Sequence, residues 1–156
     1  MNRSFLLALI HMGIVVVLWS TFGIEESTAP RAWTRTQPYD PYDLMRGRYV
    51  RLRLLALSPT FEQYERGKLY VLDNRLHFAE SPCCIPATAA SEPGYVALRR
   101  SVSFFIPENI PDPSVLKPGE ELWAEVSVPE KGDLRPIRLA VKSQNGDWRE
   151  LPVGKH

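Results

Sequence analysis

Twenty consecutive residues without a formal charge, Phe5 to Ile24, constrain this chain more than any other feature. About 20 apolar residues is the length of a helix that crosses the hydrocarbon of a bilayer. The awkward members of the run FLLALIHMGIVVVLWSTFGI are His11, Ser20 and Thr21. A neutral imidazole is tolerable there, and Trp19 stands near the far end, where an amphipathic ring suits the interface. A cleavable signal has a shorter apolar core and a small-residue site after it. Here the core is longer, and Ser27 to Ala29 is a weak match to such a site. The expectation is an uncleaved signal-anchor over residues 1–24. Arg3 precedes the run and Glu25 and Glu26 follow it. The positive-inside rule then puts the N-terminus in the cytoplasm and the rest outside, against the pull of Arg31 and Arg35.

Residues 25–38, EESTAPRAWTRTQP, are polar, contain prolines and show no apolar period, so they read as a linker. Residues 39–156 read as one extracytoplasmic β-rich domain. The chain holds 14 prolines and 9 glycines, which interrupt helices and central strands. From Tyr49, YVRLRLLAL alternates: Val50, Leu52 and Leu54 face one way, Tyr49, Arg51 and Arg53 the other. SPTFEQYERG follows as a turn or one helical turn. KLYVLD and RLHFAE flank Asp73-Asn74 as a hairpin. Ser81 to Pro93 reads as a loop, and GYVALRR and SVSFFIP as two further strands.

LWAEVSV alternates again, and LRPIRLAV returns after a PEKGD turn. Pro136 argues for an edge or a bulge there. Asn145-Gly146 signals a turn before a last strand, WRELPV. The expected fold is mainly β: an N-terminal transmembrane helix, then a small antiparallel β sandwich or barrel-like domain.

The densest stretch is DPYDLMRGRYVRL, Asp40 to Leu52. Asp40-Pro41 is a helix-start pair and Gly47 suits a left-handed exit, so a cap, one turn and a strand account for it without chemistry. A second reading places Asp40, Asp43, Arg46 and Arg48 around a mouth at the strand's start. Two carboxylates on one turn can do acid–base work if burial separates their pKa values. A third reading makes the stretch a recognition surface for a protein. FFIPE is similarly double: a strand ending at Pro107, or an aromatic docking edge formed by Phe105 with Glu108 at its rim. Trp33, Trp123 and Trp148 are candidates for the same kind of surface.

This stretch resembles the signature of the GDYXXLXY family of bacterial membrane-anchored proteins. The pattern falls on Gly47, Arg48, Tyr49, Leu52 and Leu54. Gly47, Tyr49 and Leu52 match; Arg48 replaces the acidic position and Leu54 the closing aromatic. FFIPE, Phe104 to Glu108, and the hairpin AEVSV…KGDLRPIRLAV resemble later segments of the family. The resemblance implies a membrane helix plus this domain in a bacterial cytoplasmic (inner) membrane. It brings no established reaction, and implies a multi-pass membrane protein as partner.

Other chemistry finds little footing. Lys and Arg number 19 against 18 Asp and Glu, net +1, so composition makes no case for nucleic acid. No zinc, calcium or phosphate-loop spacing occurs, so no metal or cofactor is expected. A Ser–His–Asp triad leans on His77 alone. An anchor before an RG-x-Y-V strand is faintly similar to signal peptidases, whose Ser–Lys pair leads here to Ser58 and Lys68. Cys83 and Cys84 are adjacent, which suits loop or buried thiols better than a structural staple, with a bridge to a partner or a lipid-modified pair as the second reading. The sequence therefore points to a non-catalytic accessory or binding subunit of a membrane assembly. The alternative is an extracytoplasmic, hydrolase-like enzyme using Asp40, Asp43, Arg46 and Arg48. Candidate binding residues are Asp40, Asp43, Arg46, Gly47, Arg48, Tyr49, Phe105 and Glu108.

Overall fold

Strand-forming alternation and turn chemistry organise the described residues that follow the N-terminal helix. The computed structural model describes residues 3–39, 49–59, 66–107, 111–130 and 133–152, with helical side chains described for residues 7–20. A helix, α1 (Arg3–Thr28), leads into β1 (Arg31–Pro38), β2 (Tyr49–Leu57), β3 (Arg66–Leu72), β4 (Arg75–Glu80) and β5 (Ile85–Ala89). There follow β6 (Tyr95–Phe105), β7 (Glu121–Ser127), β8 (Arg135–Lys142) and β9 (Trp148–Leu151).

The strands form one sheet in the order β2-β6-β5-β3-β4-β1-β7-β8-β9, with β2 also bridging to β1 and β4. β1 gives one edge to β7. It divides the other between β4, at Trp33 opposite Arg75, and β2, where Arg35–Pro38 face Leu55–Leu52. The sheet therefore closes through β2 into a barrel-like ring, and β7, β8 and β9 extend from it as a wing. The pairings are antiparallel apart from the parallel bridges of β4 to β1 and β2. The mainly β, antiparallel expectation holds.

The core gathers the inward residues of this ring and wing, among them Leu52, Leu54, Leu76, Phe78, Leu98, Leu122 and Leu139. β2 shows how sequence becomes burial: Val50, Leu52 and Leu54 point in, while Tyr49, Arg51 and Arg53 point out. The β3–β4 hairpin turns on Asp73 and Asn74, both at positive φ, 49° and 59°. Paired positive φ values match the right-handed twist of the flanking strands. Pro136 sits opposite Val126 where the β7–β8 register slips, the bulge that a residue without an N–H favours.

Four expectations need correcting. Residues 25–38 are no linker: α1 runs to Thr28 and Arg31–Pro38 is an interior strand. Small inward residues disguised it. Ala32 and Thr34 are buried, Thr34 Oγ1 donates to the Leu55 carbonyl, and Thr36 Oγ1 donates to that of Leu122 at 3.0 Å. Ile85–Ala89, expected in a loop, is a strand between β3 and β6. The two strands expected at GYVALRR and SVSFFIP are one, with exposed Arg99 and Arg100 at a register shift against Arg53 and Leu55. Cys83 and Cys84, expected as thiols, are joined to each other in the turn after β4.

The expected N-terminal helix is present, and its described side chains are exposed on every side. Among the described residues no helix is long and apolar enough to cross a membrane. The structure thus gives the helix without giving the span.

Candidate functional site

The outward face of β2 and β6 ends in aromatics. Tyr49 and Phe105 are opposite each other in the ladder, so both side chains leave the same face. Their rings meet edge to face at 5.5 Å between centroids, and they remain 44% and 37% exposed. Beside them Phe104 and Ile106 are buried. The pair is thus an exposed patch riding on a rigid interior, the arrangement that lets a side chain contact a partner without ordering first.

The patch widens toward β1. Tyr39 follows that strand, its N–H donating to the Arg51 carbonyl at 3.0 Å. The Arg53 guanidinium lies 4.5 Å from the centre of the Tyr39 ring, a cation–π contact. Arg51 and Arg53 share the outward face of β2 with Tyr49. The described patch is therefore aromatic with cations at its side, chemistry that fits an apolar surface bordered by carboxylates.

Of the residues expected to form a site, the structure brings Tyr49 and Phe105 together. Asp40, Asp43, Arg46, Gly47, Arg48 and Glu108 lie outside the described residues. The three tryptophans assemble elsewhere, on the outer face of β1 and the wing. Trp148 packs against Trp33 at 4.8 Å and Trp123 at 5.8 Å between ring centres. Arg75 lies 4.2 Å from the Trp123 ring and Arg138 5.6 Å from that of Trp33. Trp33 to Tyr39 is six residues of extended chain, roughly 20 Å, so the two aromatic clusters are distinct.

The tryptophan layer covers an ion pair. Glu125 is 5% exposed, and Arg138 Nε donates to its carboxylate at 2.6 Å. Arg138 also donates to Glu150 on β9 at 2.9 Å. The hydrogen bond to Glu125 holds the Arg138 pKa above its ordinary value, against partial desolvation. Nearby, burial acts to lower the Arg35 pKa; the hydrogen bond to Glu92 and the charges of Glu121 and Glu92 outweigh it and raise it. Cross-strand register placed these partners, Glu125 opposite Arg138 and Trp33 opposite Glu125. The signal available in sequence was the outward half of each alternating strand.

Removing Arg138 leaves a nearly buried carboxylate without its main donor. Arg138→Met is expected to destabilise the domain by about 2 kcal/mol, below the full range for a buried pair because Arg138 itself is partly solvated. Adding Glu125→Gln should recover part of the loss in urea denaturation; a double variant that is merely the sum would remove the coupling. Both arginine pKa values are raised. Their contribution is complete below the ordinary arginine range and lost only as pH rises through the higher folded values, so it stays constant from about pH 6 to 9.

Other candidate groups are scattered. His77 stacks on its cross-strand neighbour Tyr70 at 5.2 Å. Ser58 is buried, its N–H donating to the Gly94 carbonyl, whereas Lys68 is exposed on β3. Among the described residues no group of three or more His, Cys, Asp and Glu side chains is placed to hold a metal. A family model described as GDYXXLXY protein matches residues 13–139. No curated protein and no solved structure matches.

Proposed function

The chain belongs to the GDYXXLXY family, and from that premise we propose that it is a membrane-anchored accessory subunit that binds a membrane-protein partner through the aromatic pole, with no reaction carried out at that pole. In this reading α1 is a single-pass anchor in a bacterial cytoplasmic membrane, with the N-terminus inside and the β domain outside. Support for the anchor is the uncharged run Phe5–Ile24 within a 26-residue helix whose described side chains are exposed all round. Arg3 before the run and Glu25 and Glu26 after it support the orientation.

The observation that carries the binding role is the exposed Tyr49–Phe105 pair. Ala29 and Pro30 alone separate α1 from β1, so the start of β1 stays beside the helix's end. The eight residues of β1 then run roughly 25 Å to the pole where Tyr39, Tyr49 and Phe105 lie. A partner at that pole presents an extramembrane segment, apolar and rimmed with carboxylates to suit Arg51 and Arg53. The hydrolase-like alternative rests on Asp40, Asp43, Arg46 and Arg48, which lie outside the described residues.

The test is affinity purification of the full-length chain from native membranes in mild detergent, followed by mass spectrometry. A stoichiometric multi-pass protein is expected, with recovery falling at least about tenfold for Tyr49→Ala/Phe105→Ala, the effect of losing about 1.4 kcal/mol of binding. Recovery of the chain alone, or full recovery of the partner with the double variant, would overturn the reading. Alkaline extraction of the same membranes checks the anchor separately.

A further inference from the structure

The bond between Cys83 and Cys84 does no work as a staple. A disulfide stabilises chiefly by closing a loop in the unfolded chain, and adjacent residues enclose no loop. The strands on either side are held by other means: β4 pairs along its length with β3, and β5 pairs with β6 and with β3. What remains is a bond between two neighbouring sulfurs in a turn where both cysteines are exposed. Exposed disulfides that hold nothing together are the reducible ones.

The turn is built to present that bond. It reads Ser81-Pro82-Cys83-Cys84-Ile85-Pro86, with a proline two positions before Cys84 and another two after it. Each proline fixes its own φ and restricts the residue before it. Cys84 itself sits at φ 93°, a region that side chains other than glycine seldom occupy. Opening the ring frees Cys84 to leave it. Ser81 Oγ lies 3.4 Å from Cys83 Sγ, placed to donate to a thiolate formed there.

We propose that Cys83–Cys84 is a thiol–disulfide exchange site whose substrate is a thiol. An incoming thiolate attacks Cys84 Sγ and forms a mixed disulfide. The Cys83–Cys84 bond breaks, and its electron pair leaves on Cys83 Sγ, which accepts the Ser81 hydroxyl. A second thiolate then attacks the mixed disulfide at the incoming sulfur and releases Cys84 as a thiolate. The sum is one disulfide and two thiols converted into two cysteine thiols and one new disulfide, with two electrons transferred to the chain.

The test uses the full-length chain, folded in detergent micelles, in two arms: reduced glutathione, and a reduced CxxC oxidoreductase as protein thiol. After acid quench, mass-tagged maleimide counts free thiols. The oxidised chain is expected to take no tag and the treated chain two, in at least one arm, while circular dichroism is unchanged. The arm that reacts identifies the source of the thiol. In Cys83→Ser, oxidised glutathione is expected to leave one stable adduct on Cys84. Cys83→Ser/Cys84→Ser is expected to melt within about 2 °C of the oxidised parent, since no staple is lost. Tagging that appears only after denaturation, or a fall of about 10 °C in the double variant, would overturn the proposal.

Discussion

Gly67→Ala is expected to destabilise the β domain by about 3 kcal/mol, the upper end for an overpacked interior, and to lower its melting temperature by roughly 10 °C. Gly67 is buried on β3, where it faces Glu80 of β4 and Ile85 of β5. A Cβ at this position would fall inside contact distance of the Phe78 ring, with Cε1 at 2.7 Å, and of the Ala79 carbonyl oxygen. The carbonyl belongs to the ladder and cannot withdraw without loosening the hairpin. Phe78 is 2% exposed and part of the core, so its ring has no open space to turn into. The strain would fall on the β3–β5 seam, where Arg66 and Gly67 meet Pro86 and Ile85 to complete the ring. Phe78→Leu added to Gly67→Ala should recover part of the loss by making room. A melting curve for Gly67→Ala that overlays the parent's would refute this packing account.

Leu52→Ala is expected to cost about 3–4 kcal/mol, as a leucine deleted from a packed core usually does. Leu52 is 0% exposed and lies between Val102 of β6 and Pro38 of β1, on the strand that closes the ring. The cavity would open where three strands depend on one another, so little collapse is available to fill it. Tyr49→Ala, three residues away in the same signature, supplies the contrast. Its ring is on the outer face and 44% exposed, so its removal should cost about 1 kcal/mol or less. Urea denaturation of the two single variants separates them. Equal losses would mean that Tyr49 belongs to the packing and is not presented for contact. The signature thus mixes two kinds of residue: Leu52 holds the barrel together, and Tyr49 is presented by it.

Several elements could be read directly from the chain. β2 and β7 carry an apolar residue at every second position, and the β3–β4 turn needs the positive φ that Asp and Asn tolerate. Pro136 announced its bulge for the same local reason. β1 escaped notice because its inward positions are Ala32, Thr34 and Thr36, whose hydroxyls are satisfied by carbonyls of β2 and β7. A threonine facing such an acceptor is a core residue, and without the acceptor it reads as linker. Gly67 was hidden in the same way. In ERGKLY it looks like the end of a turn, and the ring of Phe78 and the carbonyl of Ala79 explain why no side chain fits there. On β7, Trp123 and Glu125 alternate as an exposed face would, yet both are buried, because Trp148 and Arg138 arrive from later strands to cover them.

The sequence by itself determined that the chain opens with a helix, where most of the described strands run, which face of β2 is apolar and where the β3–β4 turn lies. These follow from steric preferences and burial period over a few neighbouring residues. Tertiary structure decided that β2 closes the sheet, that Tyr49 meets Phe105, that Arg138 reaches Glu125 and that three tryptophans form one layer. Each of those depends on register between strands far apart in the chain. Register is settled by the whole core packing at once, because a shift of one residue would turn every inward side chain to the outside.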